Sequence, residues 1–289
     1  MNYRHIYHAG NFADVLKHAV LALLIRYLQK KDGAFRVLDT HAGIGLYDLS
    51  APEAQKTGEW QTGIGKLIDA DLPEPAATIL EPYLSAVRAL NPKGGVTKYP
   101  GSPALARALF RPQDRLSAIE LHPDDSRALQ RLFEGDHQVR VTELNGWLTL
   151  NAHLPPKEKR GLVLVDPPFE EEGEYERLVA GLLQGWKRFP GGTFCLWYPM
   201  KKGAPIAAFH KALKDLDIPK MLCVELTVMS DRETTGLNGS GLIIVNPPFT
   251  LKDELTAMLP VIKEKLAVDR YASQRAFWLR GEEREEEKE

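Results

Sequence analysis

Asp166, Pro167, Pro168 and Phe169 follow directly on the apolar run 162–165. An acid ending an apolar strand, with two prolines after it, makes an extended turn. Each proline fixes its own φ, lacks an N–H and keeps the residue before it out of the helical region. The Asp166 carboxylate and the Pro167 carbonyl are then free to face a cleft, with Phe169 as a flat apolar surface beside them. Two acceptors next to a stacking ring suit a planar group bearing an amino function, such as adenine. The competing reading is a strand that merely ends in a proline turn, and the tetrapeptide alone does not separate the two.

Three further strand ends carry polar or glycine residues. Asp39-Thr40-His41-Ala42-Gly43-Ile44-Gly45 closes a short apolar run, and its glycines let backbone N–H groups approach a ligand closely. The third glycine of a dinucleotide fingerprint is missing, because Asp48 stands there. Glu120 ends the run 116–119, where a carboxylate can accept two ribose hydroxyls or cap the next helix. Asn145-Gly146 offers a polar contact to a purine edge, or a turn. Each signal is ambiguous singly, but their shared order along the chain fits a nucleoside-type cofactor. A second copy, Asn246-Pro247-Pro248-Phe249, follows residues 241–245. It ends the last expected strand, at the far edge of the sheet, with only Gly281 downstream for a glycine loop. It is read as a structural turn.

The elements that must position these residues alternate. Asn11 reads as an N-cap with Asp14 in capping-box position, opening an amphipathic helix over 12–30. Strands are expected at 34–38, 116–119, 138–143, 161–165, 193–198, 221–229 and 241–245, and helices at about 103–110, from Pro123, 173–187, 203–215 and 251–266. Residues 48–98, with helix-like stretches near 59–69 and 79–90, interrupt the alternation as an inserted helical subdomain. The pattern predicts an α/β Rossmann-like domain over 1–47 and 99–280, with a mostly parallel seven-stranded sheet and an acidic tail at 281–289. Ligands of such sheets bind at the carboxyl ends of the strands, near the reversal of strand order.

The 289 residues carry a net charge of −2, so no global basic field marks a polyanion partner. Any basic surface is local, with Arg4, Lys17, Lys30, Lys31 and Lys201-Lys202 as candidates. Cys195 and Cys223 lie in apolar runs and read as small core residues. His5, His8, His18 and His41 lack the rigid three- or four-ligand spacing of a zinc site, so no metal is expected. No export signal and no run long enough to span a bilayer is visible, which makes a reducing cytoplasm the expected home and a membrane partner unexpected.

The block from Tyr3-Arg4-His5 through His8-Ala9-Gly10-Asn11-Phe12-Ala13-Asp14-Val15-Leu16-Lys17-His18, with the 39–43 loop and the 166–169 turn, resembles the RlmJ family over essentially the whole chain. That family comprises bacterial 23S ribosomal RNA adenine-N6 methyltransferases. The resemblance implies a class I fold that uses S-adenosyl-L-methionine to methylate one adenine, exposed or flipped, in 23S ribosomal RNA. By motif, His18, His41, Gly43, Ser102, Glu120, Asn145, Gly146 and Asp166 would line the cofactor. Asp166 would also be catalytic, and Tyr3, Arg4, Pro167 and Phe169 would meet the RNA. Two positions depart from the family pattern: Asn145 stands where an acid is usual, and Phe169 where tyrosine is usual. Rival readings are a DNA adenine methyltransferase, a non-catalytic RNA-binding protein on the same scaffold, and a nicotinamide-dependent dehydrogenase.

Overall fold

The computed structural model describes residues 4–232 and 236–281. Tyr3 and residues 282–289 of the acidic tail lie outside them. Among the described residues ten strands form: β1 (Arg36–Asp39), β2 (Leu46–Asp48), β3 (Lys98–Pro100), β4 (Arg115–Glu120), β5 (Val139–Glu143), β6 (Gly161–Val165), β7 (Thr193–Lys201), β8 (Met221–Thr227), β9 (Leu237–Val245) and β10 (Ser273–Arg280). Eleven helices accompany them: α1 (Phe12–Leu28), α2 (Pro52–Thr57), α3 (Glu59–Thr62), α4 (Ile64–Leu67), α5 (Ala76–Leu90), α6 (Ser102–Leu109), α7 (Pro123–Leu132), α8 (Gly146–Ala152), α9 (Glu174–Arg188), α10 (Ile206–Lys214) and α11 (Leu251–Leu266).

The main sheet runs β10-β8-β9-β7-β6-β1-β4-β5. Its pairings make β5, β4, β1, β6, β7 and β8 run one way, while β9 and β10 run against them. The fold is the expected Rossmann-like α/β type, but the sheet has eight strands, not seven. The additional strand is β10, a half-exposed edge strand in which Arg275 and Arg280 flank the short apolar run 276–279. It pairs on one side only, so a run this short, set next to the acidic tail, suffices to form it. Strand order reverses beside β1, between β4 and β6, which puts the carboxyl ends of β1, β4 and β6 at the ligand edge typical of such sheets.

Two apolar clusters fill the two faces. One gathers α1, α5, α6 and α11 over one face, and the other gathers α8, α9 and α10 over the opposite face. The N-terminal helix α1 departs from the amphipathic expectation, because every residue from Ala13 to Ile25 is buried. Its outer side is covered by α5 and α11, so Leu16, Leu24 and their neighbours each gain about 1.5–3 kcal/mol from burial. Asn11 caps the helix as expected, accepting from the N–H groups of Ala13 (2.9 Å) and Asp14 (3.0 Å). Asp14 does not reach back to Asn11, as a capping box requires, but accepts from the N–H of Gly10 (2.9 Å).

Residues 48–98 supply α2, α3, α4 and α5 and are framed by the antiparallel pair β2–β3. The N–H of Gly101 donates to the carbonyl of Gly45 (2.9 Å), so the excursion returns to its starting point. Both cysteines are buried and free. Among the described residues no helix is long and apolar enough to cross a membrane.

Candidate active site

Asp166 leaves β6 beside β1, at the strand-order reversal. Its Oδ2 pairs with the ammonium of Lys17, which also bonds Asp14 Oδ1 (3.0 Å) and lies 5.7 Å from the centre of the Trp197 ring. The other Asp14 oxygen accepts from His5 Nε2 (2.9 Å). Burial opposes the Asp14 charge, but His5, Lys17 and His18 outweigh it and hold the carboxyl well below its usual range. Burial likewise opposes the Lys17 charge, and Asp14 and Asp166 together raise its pKa above that of an ordinary lysine. Lys17 is only 4% exposed, so it is no part of a basic surface, contrary to expectation. A lone lysine in a helix reads as solvated; here Asp14 and, at the end of β6, Asp166 take up its ammonium and make it an internal ion instead.

Phe169 adopts a left-handed backbone with φ of 53°. That conformation is costly without glycine, and it is held by a bond from the Phe169 N–H to the buried Glu174 carboxylate (2.7 Å). The ring packs edge-on against Tyr175 (4.9 Å between centres) and Trp197 (5.6 Å). Sequence reasoning missed Glu174, Tyr175 and Trp197. The only available signal was an acid in the first turn of the helix after the proline turn.

The glycine loop packs between β4 and β6. Thr40 bonds the Leu164 carbonyl through its N–H (3.1 Å) and its Oγ1 (3.0 Å). Gly43 has a φ of +60°, and its N–H donates to Glu120 Oε2 (2.8 Å); the other Glu120 oxygen accepts from His122 N–H (2.8 Å). Burial raises the Glu120 pKa, and these two backbone donors oppose the rise. A side chain at Gly146 would place its Cβ 2.0 Å from the Thr40 carbonyl, so the start of α8 approaches the loop in a way only glycine permits. Asn145 caps α8, its Oδ1 accepting from Trp147 N–H (3.0 Å). His41 bonds Thr40 Oγ1 (2.8 Å) and meets Trp147 edge-on; burial pushes its pKa down to about 4, so it is neutral at pH 7.

Ser102 opens α6 and donates to Asp39 Oδ2 (2.6 Å). Burial, reinforced by the charge of Asp166, pushes Asp39 up to about 7, against the bond from Ser102. The folded state therefore holds a proton here that the unfolded chain releases near its ordinary carboxylate pKa, so this group's contribution falls as pH rises from about 4 to 7. Asp39→Asn is expected to gain stability over wild type through that window, by up to roughly 4 kcal/mol at pH 8 and little at pH 4. Denaturant unfolding at the two pH values measures the difference; equal gains at both would remove Asp39 as the cause.

The histidines do not converge. His5 bonds Asp14, His8 bonds Glu59 (3.0 Å), and His18 donates to or accepts from Tyr99 Oη (2.7 Å), stacked on its ring. Burial pushes the His18 pKa down to about 3. Arg4 pairs with Asp125 Oδ1 (3.1 Å) on α7, bringing the amino-terminal segment to the β4 side of the cleft.

The second proline turn stands differently from its expected place. β9 is neither the last strand nor at the sheet's lateral edge. It runs antiparallel to β7, with Val245 opposite Phe194, so Asn246 emerges at the end of the sheet away from Asp166. Asn246 has a φ of 51°, and its Nδ2 donates to the carbonyls of Pro190 (2.8 Å) and Gly192 (2.9 Å). Asn246→Ala is expected to cost about 1–3 kcal/mol in unfolding free energy and to leave the reaction rate within a few-fold. A complete loss of activity in folded protein would reverse the assignment of the two turns.

Comparison with known proteins agrees with this geometry. A profile of the family described as "Ribosomal RNA large subunit methyltransferase D, RlmJ" matches residues 32–280. The chain is 42% identical over 267 residues to Ribosomal RNA large subunit methyltransferase J of Escherichia coli (strain K12), covering 92% of this chain and 94% of that protein. It is 41% identical over 281 residues to the protein of the same name from Haemophilus influenzae (strain ATCC 51907 / DSM 11121 / KW20 / Rd), covering 96% and 99%. The crystal structure of protein LPL1258 from Legionella pneumophila str. Philadelphia 1 superposes with a TM-score of 0.86 at 33% identity, covering 94% of this chain and 98% of that one. With its strand-end residues arranged as above and these matches spanning nearly its whole length, the chain belongs to the RlmJ family of ribosomal RNA large subunit methyltransferases.

Proposed function

We propose that the protein methylates the N6 amino group of one adenine in 23S ribosomal RNA, using S-adenosyl-L-methionine. The observation that carries this reading is Asp166, which stands at the end of β6 beside the strand-order reversal with one oxygen held by Lys17. The residues around the cleft suit the cofactor. A Cβ at Gly43 would strike the Tyr47 hydroxyl and one at Gly146 the Thr40 carbonyl, so the two glycines let the loop and α8 close on each other beside Glu120, whose carboxylate stands at the end of β4. His41, Gly43, Asn145 and Gly146 would line it, with Ser102 at the start of α6 and His18 on α1. When bound, the cofactor supplies an electrophilic methyl group.

The protein's own part is positioning and electrostatics. An adenine amino nitrogen is a poor nucleophile because its lone pair feeds the ring. Lys17 occupies one Asp166 oxygen and fixes the carboxylate's direction. Asp166 Oδ1 and the Pro167 carbonyl accept the two amino hydrogens, which localises the lone pair on nitrogen and aims it. These bonds strengthen as positive charge develops on nitrogen, so they favour the transition state over the ground state. Phe169, braced by Tyr175 and Trp197, gives the base an apolar face, and Asp166 is the nearest acceptor for the proton that nitrogen finally loses. An adenine reaches such a cleft from a single strand or by flipping. Arg4 would meet the RNA at the rim, with Tyr3 of the same segment.

Mapping methylated adenines in ribosomal RNA from cells with and without the gene tests the proposal; an unchanged map refutes it. Parallel transfer assays on undermodified 23S RNA and on naked DNA decide the polymer. RNA affinity is expected to fall steeply between 50 and 200 mM salt, as phosphate contacts require, and a flat salt profile would count against RNA.

A further inference from the structure

The β8–β9 hairpin carries a second built site on the same edge of the sheet. β8 runs parallel to β6, so Thr227 ends at the ligand edge, three strand positions from Asp166. At a strand spacing of about 4.8 Å this is roughly 14 Å across the sheet, and Thr227 lies three residues further along its strand than the register of Asp166. There an open pocket of ≈ 320 Å³ is bordered by Met229, Ser230, Arg232 and Asn238 on the hairpin and by Tyr271 before β10. Its two walls are tied together. Asp269 accepts from Ser230 N–H (2.9 Å) and from Tyr271 N–H (2.8 Å), and Val268 N–H donates to the Val228 carbonyl (2.8 Å). These bonds hold Ser230 and Tyr271 in place at the pocket.

Its chemistry is that of a nucleotide pocket. Tyr271 is 50% exposed, with Arg270 stacked 5.0 Å from its ring centre and bonded to its hydroxyl (2.9 Å). Asn238 is 7% exposed; it gives Nδ2 to the Met229 carbonyl (3.2 Å), and its Oδ1 has no hydrogen-bond partner. Arg232 and Arg270 are exposed at the rim, as are Lys201 and Lys202 at the end of β7, which pairs with the start of β9; Asp231 is the exposed acid among them. An exposed aromatic ring at an open pocket and a surplus of cations match a base and its phosphates.

We propose that this pocket binds a nucleotide flanking the target adenine, with its base on Tyr271 and its phosphates against Arg232 and Arg270. The proposal rests on the reading of the protein as an RNA methyltransferase and names a second point at which the RNA is held. A chain gripped at both points presents the adenine to Asp166 in one register, which no single-base contact can do.

The test measures binding of a labelled 23S RNA fragment by fluorescence anisotropy, together with methyl transfer to it. Tyr271→Ala is expected to weaken RNA affinity and raise the KM for RNA about tenfold, the usual size of a lost stacking contact. kcat at saturating RNA and affinity for S-adenosyl-L-methionine should stay within twofold, and Tyr271→Phe should restore binding. Arg232→Ala, at an exposed position, should lower the salt slope by about one phosphate contact. RNA affinities within twofold of wild type for both alanine variants, with wild type still methylating, would overturn the subsite and leave the enzyme reading intact. Tyr271-dependent binding with no transfer would uphold the subsite and sink the catalytic reading. Failure of wild type to bind RNA would sink both.

Discussion

Asp166→Ala is expected to reduce methyl transfer by at least about 10³-fold, with cofactor affinity reduced far less and the chain still folded. Removing one preorganised polar partner of a transition state costs about 10²–10³ in kcat, and Asp166 is both the charged acceptor for the amino group and the nearest base. Stability should survive, because Lys17 keeps its bond to Asp14 and is not left as a lone buried charge. Asp166→Asn separates the two roles: an amide oxygen still accepts a hydrogen bond, so this variant should fall between wild type and alanine. Single-turnover transfer of a labelled methyl group, with a thermal melt on the same sample, gives both readouts. Transfer within tenfold of wild type in the alanine variant would remove Asp166 from the chemistry.

The largest effect on stability is expected from Lys17→Met. Its ammonium sits between Asp14 and Asp166, 4% exposed. Taking one member from a buried ionic group costs about 3–5 kcal/mol, which in a chain of this size lowers the thermal midpoint on the order of 10 °C. The pH dependence identifies the cause. Asp14 is held below its usual range in the folded state, so its contribution is present above the ordinary carboxylate pKa and is lost as pH falls through the folded value. Without Lys17 that contribution shrinks. The gap between wild type and Lys17→Met should therefore be widest near neutrality and close below about pH 4. A gap independent of pH would mean the loss is one of packing alone. Activity should fall with stability, since Asp166 loses the group that orients it.

The residues that speak through local chemistry were legible. The run 161–165 can only be a strand buried on both faces, and the acid and prolines after it must mark the end of that strand. Asn11 announced a helix start because a short polar side chain ahead of an apolar period has few other uses. What escaped depends on partners distant in the chain. The direction of β9 is set by pairing with β7 and β8, so two nearly identical proline turns face opposite ends of the sheet with nothing local to tell them apart. α8 is seven residues long and opens on Asn-Gly, a pair that reads equally well as a turn. The ion pair of Lys17 joins it to Asp166, 149 residues further on, which no local pattern announces.

The hydrogen bond from Gly101 to Gly45 has an evolutionary consequence. Everything between those glycines is a cassette whose two ends share one doorway, so its length can drift without altering the spacing of β1 and β4. Its contents are less free. Tyr83 and Tyr99 join hydroxyls (3.0 Å), and Tyr99 passes the chain of bonds to His18, so whatever replaces this module must still give that buried imidazole a partner.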